Sequence, residues 1–185
     1  AARMGPGRKR EAHSLFLAAH LSREPIEQEL DMIVFHAEGA ENATATLTYA
    51  QRAASKAATF GAHREAALFL GSALNCLAGV APEIAAKVNE RWAYEAGLSL
   101  GIDDAVIAAR QRAIALWAEV DRPDRVGENL RWLSRLHWYR GEAAEAETFI
   151  LQAIEVLQNE APSSETGKAY ALRAQFFMLQ EKMTE

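Results

Sequence analysis

The apolar residues of this chain recur at helical spacing, and their pattern repeats with a constant period along the chain. Three stretches carry apolar side chains at positions i, i+4, i+7, i+8 and i+11, the spacing of the buried face of an amphipathic helix. One position departs from the pattern, because Arg110 stands where the other stretches have Leu70 and Ile150. The other matched sets are Ala66, Val106 and Ala146; Ala73, Ala113 and Ala153; Leu74, Ile114 and Ile154; and Leu77, Trp117 and Leu157.

Glycines with the same period mark turns between helical runs. Gly61, Gly101 and Gly141 are evenly spaced, and glycine readily adopts the left-handed conformation that ends many helices. Hairpins of this kind bury their faces only against neighbours, which predicts an all-α fold, a right-handed solenoid of stacked antiparallel helical hairpins with about nine helices. The predicted helices cover about 11–20, 25–38, 44–60, 62–78, 83–100, 103–120, 124–140, 142–159 and 164–181.

The pattern divides the chain into three predicted regions. Residues 1–10 contain basic residues and no acid, which predicts a basic, disordered lead-in. Residues 11–40 form a predicted N-terminal helical pair, and residues 41–185 form the predicted repeats. The last helix lacks a hairpin partner, so we expect the chain to be part of a longer protein. The predicted repeats lie at about 44–79, 83–120 and 124–160, with a partial one at 163–182.

Composition narrows the class of protein. The net charge is -5 although the lead-in is basic, and an acidic body argues against nucleic-acid binding as the main function. The single cysteine, Cys76, lies in an apolar run, which predicts an inert buried thiol. The sequence shows no signal peptide and no apolar run of membrane length, so we expect a cytoplasmic protein without membrane contact.

No motif in the sequence predicts catalysis or metal binding. The five histidines do not have the spacing of a zinc site, and no nucleophile motif is present. Asp103 and Asp104 lie at the predicted start of a helix, where the helix dipole explains them. We therefore expect no catalytic residue, no metal ligand and no cofactor, in a protein that is not an enzyme.

The repeat resembles the tetratricopeptide repeat, in which a helix A, a turn glycine and a helix B carry small residues where helices touch. The segment YRGEAAEAETFILQAI (139–154) matches best, with Gly141 at the turn, Ala146 and Ala153 at the small positions and Ile150 at the large position. One repeat spans the interval from Gly101 to Gly141. This period is longer than is usual in that family and implies extended helices.

A narrower resemblance covers residues 34–74. The runs HAEG (36–39) and GAHREA (61–66) resemble the helical sensor region of large ATP-dependent LuxR-family transcription regulators of the maltose-regulator-like class. Such proteins carry an ATPase before this region and a helix-turn-helix after it, whereas this chain has no phosphate-loop motif and no recognisable DNA-reading helix pair. The resemblance implies a region that senses a ligand or binds a protein.

The tetratricopeptide resemblance also implies a binding groove, because in that family helix A residues line the concave surface. Arginine and tryptophan dominate binding hot spots, so an anionic or mixed ligand, or an acidic or aromatic peptide, would suit these positions. In the alternative interpretation, Trp92 and Trp132 belong to the core between hairpins and the arginines are merely solvated. The candidate groove residues are Gln51, Arg52 and Ser55; Arg91, Trp92 and Glu95; and Glu128, Arg131, Trp132, Arg135 and Trp138.

From these observations we expect a ligand-sensing or protein-binding repeat region of a bacterial-type transcription regulator. Its partner would be a protein, a peptide or a small-molecule effector, and not nucleic acid through this part of the protein. The alternative is a free-standing protein–protein interaction scaffold. A homodimer formed through the last helix is a further alternative, because the end of a stack of hairpins exposes an apolar face.

Overall fold

A computed structural model describes residues 5–23 and 26–182, and these residues are almost entirely helical. They form nine α-helices and one short 3₁₀ turn, Glu27–Glu29, and no strand occurs in these two ranges. The all-α fold class is confirmed. The helices are α1 Pro6–Leu21, α2 Leu30–Gly39, α3 Ala43–Thr59, α4 His63–Leu74, α5 Pro82–Ser99, α6 Asp104–Glu119, α7 Pro123–Tyr139, α8 Ala143–Gln158 and α9 Ser164–Lys182.

Helix α1 begins earlier than the sequence pattern predicts. Its first residue is Pro6, behind the N-cap Gly5, so residues 6–10 are helical where we predicted a disordered lead-in. Proline suits this position because its fixed φ matches the helix and its missing N–H is not needed in the first turn. The basic residues that follow are good helix formers. The rest of the predicted lead-in, residues 1–4, lies outside the described residues.

Helix α4 ends at Leu74, before the predicted end at residue 78. The amide of Cys76 donates a 3.0 Å hydrogen bond to the carbonyl oxygen of Ala73, a tight turn that stops the helical ladder. Gly79 follows in the left-handed conformation, with φ of 72°. The apolar run on which the prediction rested therefore continues into a turn.

The chain divides into two compact units, and the first contains α1 to α4. Neighbouring helices pack in chain order, α1 on α2, α2 on α3 and α3 on α4. The core of this unit includes Leu17 from α1, Ile33 and Ala37 from α2, and Ala45 from α3. The predicted helical pair at 11–40 corresponds to α1 and α2.

The second unit contains most of α5, up to Gly97, together with α6 to α9. Helix α7 packs against α6, α8 and α9. The apolar stripe predicted for α8 lies in the core, where Ala146, Ile150 and Ala153 are fully buried. Because alanine is small, α7 approaches α8 closely enough for the hydroxyl of Ser134 to donate a 2.6 Å hydrogen bond to the carbonyl oxygen of Ala146.

The turns between helices fall at regular positions along the chain. Left-handed residues stand at Glu41 (φ 55°), Gly61 (72°), Gly79 (72°), Gly101 (103°), Asp121 (52°) and Gly141 (80°). In the four turns at Glu41, Gly61, Asp121 and Gly141, the amide of the left-handed residue bonds to the carbonyl at i−3, at 2.9–3.2 Å. The amide of the following residue bonds to the carbonyl oxygen of the residue five positions before it, at 2.9–3.0 Å. In these four turns the pair of bonds satisfies carbonyls at the end of the first helix and holds the turn tight.

Candidate binding cleft

A cleft of ≈ 310 Å³ opens on the second unit, where side chains of α5, α6 and α7 meet. This volume is at the lower end of the range of ligand pockets, about 300–1,000 Å³. Charged side chains and two aromatic rings surround it. The lining residues are Glu90, Arg91, Tyr94 and Glu95 of α5, Arg110 of α6, and Glu128 and Trp132 of α7.

An aromatic pair forms the flat part of the cleft. The rings of Tyr94 and Trp132 meet edge to face, with their centres 5.6 Å apart and their planes at 82°. Trp132 is half-buried, whereas 42% of Tyr94 is exposed. Edge-to-face packing is a favourable geometry for two rings, so each holds the other in place and leaves apolar area open to solvent.

Three guanidinium groups surround the ring of Trp132. The central carbon of Arg131 lies 5.2 Å from the centre of the ring, and those of Arg110 and Arg135 each lie 5.6 Å from it. These distances are within the range of cation–π attraction. The cations therefore fix the tryptophan and place positive charge beside the aromatic pair.

Glu90, one of the lining residues, connects three helices. Its Oε1 accepts hydrogen bonds from Trp117 Nε1, at 2.5 Å, and from Asn129 Nδ2, and its Oε2 accepts one from Arg125 Nη2 at 2.6 Å. The side chain of Glu90 is only 9% exposed. A buried carboxylate is tolerated when it is paired and hydrogen-bonded, and here both oxygens have partners.

Arg110 is buried beside this network but is poorly satisfied. It is 4% exposed, and its Nη1 donates a 2.9 Å hydrogen bond to Oδ1 of Asn129. Its Nε is buried without a hydrogen-bond partner, and no carboxylate of the described residues forms a salt bridge with it. Burial lowers the pKa of Arg110 to about 10, against the opposing effect of Glu90 and Glu128, and it remains a cation at neutral pH.

Two ion pairs lie near Arg110, one between Arg125 and Glu128 and one between Arg131 and Glu165. Glu128 is held by Arg125, with Nη1 2.5 Å from Oε2, yet burial raises the pKa of Glu128 above its ordinary value. Arg131 Nη2 lies 3.0 Å from Oε2 of Glu165 on α9, and both side chains are largely buried. Arg125 and Arg131 are thus committed to internal carboxylates, unlike Arg110.

The structure brings together four of the predicted groove residues and separates others from them. Arg91, Glu95, Glu128 and Trp132 line the cleft. Trp92 is half-buried on α5 and is not among the lining residues.

Three further predicted residues lie on α7 but outside the cleft lining. Arg131 is turned toward Glu165, whereas Arg135 lies over Trp132 and donates hydrogen bonds to the hydroxyl of Tyr139 at 2.7–2.9 Å. Trp138 packs against the core of the second unit. Its ring stacks on Phe176 of α9, with ring centres 4.3 Å apart and planes at 13°.

The predicted residues of the first unit are bonded mostly within α3. Gln51 donates to the carbonyl oxygen of Leu47 at 3.0 Å, and Ser55 donates to that of Gln51 at 2.8 Å. Arg52 forms a 3.1 Å ion pair with Glu27. A cavity of ≈ 270 Å³ lies beside α3, but none of Gln51, Arg52 and Ser55 lines it.

Three residues of the cleft lie outside the predicted groove set, namely Glu90, Tyr94 and Arg110. Only Arg110 has a clear signal in the sequence, because it interrupts an apolar column of the repeat. Tyr94 lies one helical turn from Glu90 and at i+3 from Arg91, so it shares their face of α5.

Within the described ranges, no group of three or more histidine, cysteine, aspartate or glutamate side chains has the arrangement of a metal site. No described helix is both long and apolar enough to span a lipid bilayer.

Comparison with known proteins identifies the fold of the chain and shows no closer relationship. No known protein-family profile and no curated protein sequence matches the chain. BtubC (BKLC) from P. vanneervenii superimposes with a TM-score of 0.60, at 13% identity, over 94% of this chain and 86% of that one. The TPR-like repeats of a putative kinesin light chain from Podosopora anserina superimpose with a TM-score of 0.58, at 16% identity, over 98% and 94%.

A point variant of the same Podosopora anserina repeats gives a TM-score of 0.59 at 16% identity, over 99% of this chain and 94% of that one. Identities this low carry information about the fold alone. The chain therefore has the fold of TPR-like helical repeat proteins, a stack of antiparallel helical hairpins.

Proposed function

We propose that this chain is a protein-interaction scaffold and that the cleft of α5, α6 and α7 binds a segment of its partner. The observation that carries the proposal is the pair of Tyr94 and Trp132, which presents open aromatic area between charged side chains. Aromatic residues and arginines dominate the binding energy of protein interfaces. The TPR-like fold supports the same class of function, because stacked hairpins form extended surfaces suited to binding.

The side chains of the cleft are preorganised for binding by contacts within the protein. Glu90 bonds to residues of α6 and α7, and three guanidinium groups fix the ring of Trp132. A surface that is already ordered loses little conformational entropy on binding, so more of the contact energy remains as affinity. The bound segment would place an apolar or aromatic side chain on Tyr94.

The narrower hypothesis, a sensor region of a LuxR-family regulator, rests on the resemblance of residues 34–74 alone. Those residues belong to α2, α3 and α4 of the first unit, whereas the aromatic pair of the cleft belongs to the second. The similar structures are TPR-like repeat proteins and do not support a regulator. The interaction scaffold is therefore the better supported proposal, and a small-molecule effector and a homodimer are the alternatives to it.

The test uses two matched tyrosines of the second unit. A displayed library of random peptides is selected on the whole chain, and enriched peptides are synthesised and titrated by fluorescence anisotropy. Tyr94→Ala removes a ring that lines the cleft, and Tyr170→Ala removes one on α9 that is similarly exposed, 48% against 42%. Because hot-spot rings contribute more than about 1 kcal/mol, we expect Tyr94→Ala to weaken binding about tenfold.

Tyr170→Ala should leave the affinities within about twofold of the unaltered protein. Selection of no peptide would overturn the proposal. So would a set of peptides that bind Tyr94→Ala as tightly as they bind the unaltered chain. Circular dichroism of both variants establishes that each remains folded.

A further inference from the structure

Arg110 occupies a position that the repeat otherwise gives to a large apolar side chain. Its counterparts one period away on each side, Leu70 and Ile150, are both fully buried. Arg110 is almost as buried, at 4% exposed, and therefore carries a guanidinium group into the site of a core leucine. A buried cation is costly unless it is paired, and replacement of such groups by apolar residues is often neutral or stabilising.

The internal partners of Arg110 do not account for this cation. The neighbouring carboxylates are already engaged, because Arg125 binds both Glu90 and Glu128. The structure gives Arg110 one hydrogen bond, to the neutral amide oxygen of Asn129, out of the five N–H donors of a guanidinium. Its Nε–H is buried without an acceptor, which adds to the free-energy cost of burying this cation.

An acceptor for the rest of the guanidinium group can come from the cleft, since Arg110 is one of its lining residues and keeps 4% exposure. A carboxylate is the group that matches a guanidinium best, because its two oxygens accept two parallel N–H donors and its charge compensates the cation. Arg131 beside it is tied to Glu165, and Arg135 donates to the hydroxyl of Tyr139 and does not line the cleft. Arg110 lines the cleft and forms no salt bridge with a carboxylate of the described residues.

We propose that Arg110 binds a carboxylate of the partner segment and so selects acidic partners. This inference rests on the proposed function of the cleft. In it, Tyr94 and Trp132 contact an apolar side chain of the partner segment, next to the carboxylate that Arg110 binds. The anchoring group comes from α6, the second helix of its hairpin, and not from the first-helix residues that the repeat resemblance implies. The carboxylate could belong to an aspartate or glutamate side chain or to a chain terminus.

The direct test observes the Nε–H of Arg110 by ¹H–¹⁵N NMR on the whole chain. Because this group is buried, its exchange with water is slow enough for its signal to be seen. Acetate is the probe, and acetamide is the uncharged control of the same shape. We expect a saturable shift with acetate and at least about tenfold weaker binding of acetamide, since charged hydrogen bonds are roughly twice as strong as neutral ones.

Two leucine variants of α6 assign the effect to Arg110. Arg110→Leu restores the apolar column, and we expect acetate binding at the cleft, followed by the indole signal of Trp132, to be lost while the melting temperature is at least that of the unaltered protein. Arg112→Leu is the control, because Arg112 is exposed and does not line the cleft. It should bind acetate normally. Arg110→Lys keeps the charge without the planar fork and should bind acetate several-fold more weakly.

N-acetylglycine and the α-amide of N-acetylglutamate distinguish the two sources, because the first offers a terminal carboxylate and the second a side-chain one. A saturable shift of the Arg110 signal with either supports the proposal and identifies the source. No saturable shift with acetate, or equal binding of acetamide, overturns it. If enriched peptides still require Tyr94, the proposed function survives that result. If acetate binds but no peptide is selected, the carboxylate site stands and the proposed function fails.

Discussion

Trp117 Nε1 donates a 2.5 Å hydrogen bond to Oε1 of Glu90, although the two residues lie 27 positions apart in the chain. Trp117 is 1% exposed and Glu90 7%. The bond therefore joins α6 to α5 inside the second unit. It also gives the buried indole N–H a charged acceptor that a packed apolar neighbour could not supply.

We expect Glu90→Ala to lower the free energy of unfolding by about 3 kcal/mol, because removal of one partner of a buried network leaves the others unsatisfied. Trp117, Asn129 and Arg125 would each lose an acceptor. Glu83→Ala is the matched control, since Glu83 is an exposed residue of the same helix. Urea unfolding followed by circular dichroism measures the difference. Equal losses in the two variants would show that Glu90 has no special structural role.

Two glycines inside helices predict opposite effects of one added methyl group. At Gly127 a Cβ would lie 2.3 Å from Cγ of Leu157, a fully buried side chain with no room to retreat. At Gly97 the nearest atom is 3.7 Å away, an ordinary contact with Val106. We expect Gly127→Ala to destabilise the protein by about 2 kcal/mol and Gly97→Ala to stabilise it by about 0.5–1 kcal/mol. Thermal melts of both variants check the signs, and a lower melting temperature for Gly97→Ala would contradict this account.

The left-handed residues at turns make a third prediction. Asp121 adopts φ of 52°, whereas the next turn along the chain has Gly141 at 80°. Side chains with a Cβ are strained in this conformation by about 1 kcal/mol or more. We expect Asp121→Gly to stabilise the protein by about 0.5–1 kcal/mol and Gly141→Ala to destabilise it by about 1 kcal/mol or more. Chemical denaturation of the pair tests this, and a loss of stability in Asp121→Gly would contradict it.

The pair of Arg131 and Glu165 predicts a dependence of stability on pH. Burial raises the pKa of Glu165, but hydrogen bonds from Lys168 and Arg131 and the charge of Arg131 outweigh it, so the pKa lies below the ordinary 4.5. A carboxylate with a lowered pKa stabilises the fold above its ordinary pKa, and this contribution is lost as the pH falls through the folded-state pKa. We expect Glu165→Gln to cost about 2 kcal/mol at pH 7 and progressively less below about pH 4.

Glu155→Gln is the control for this prediction, because Glu155 is exposed on α8. Its melting temperature should follow that of the unaltered protein at every pH. A Glu165→Gln deficit of the same size at pH 3 and pH 7 would contradict the electrostatic account.

The repeat itself could be predicted from the sequence because it is a local property. The period of Gly61, Gly101 and Gly141, and the apolar columns of α4, α6 and α8, indicate helices and turns directly. The same columns also predicted burial at most of their positions, as Ala146 and Ile150 in the core show, whereas Leu74, Leu77 and Ile114 are only half-buried.

The cleft could be predicted only in part, because its contacts join residues distant in sequence. Glu90 accepts from Asn129 across 39 positions, and no periodic pattern specifies that an acid on α5 will meet an amide on α7. Trp138 was predicted in the groove from its position on a helical face. The sequence does not reveal that Phe176 of α9 stacks on its ring. Arg110 interrupts an apolar column of the repeat, yet it was not among the predicted groove residues.

The repeated form of the turns makes the chain modular. Gly61 and Gly141 close their turns with the same two backbone bonds, so the backbone arrives at and leaves each turn in an equivalent state. Splicing at these two points would join matching backbone geometry. A second copy of the segment between them, residues 62–141, would therefore begin and end on backbone of the same geometry as the turns already present.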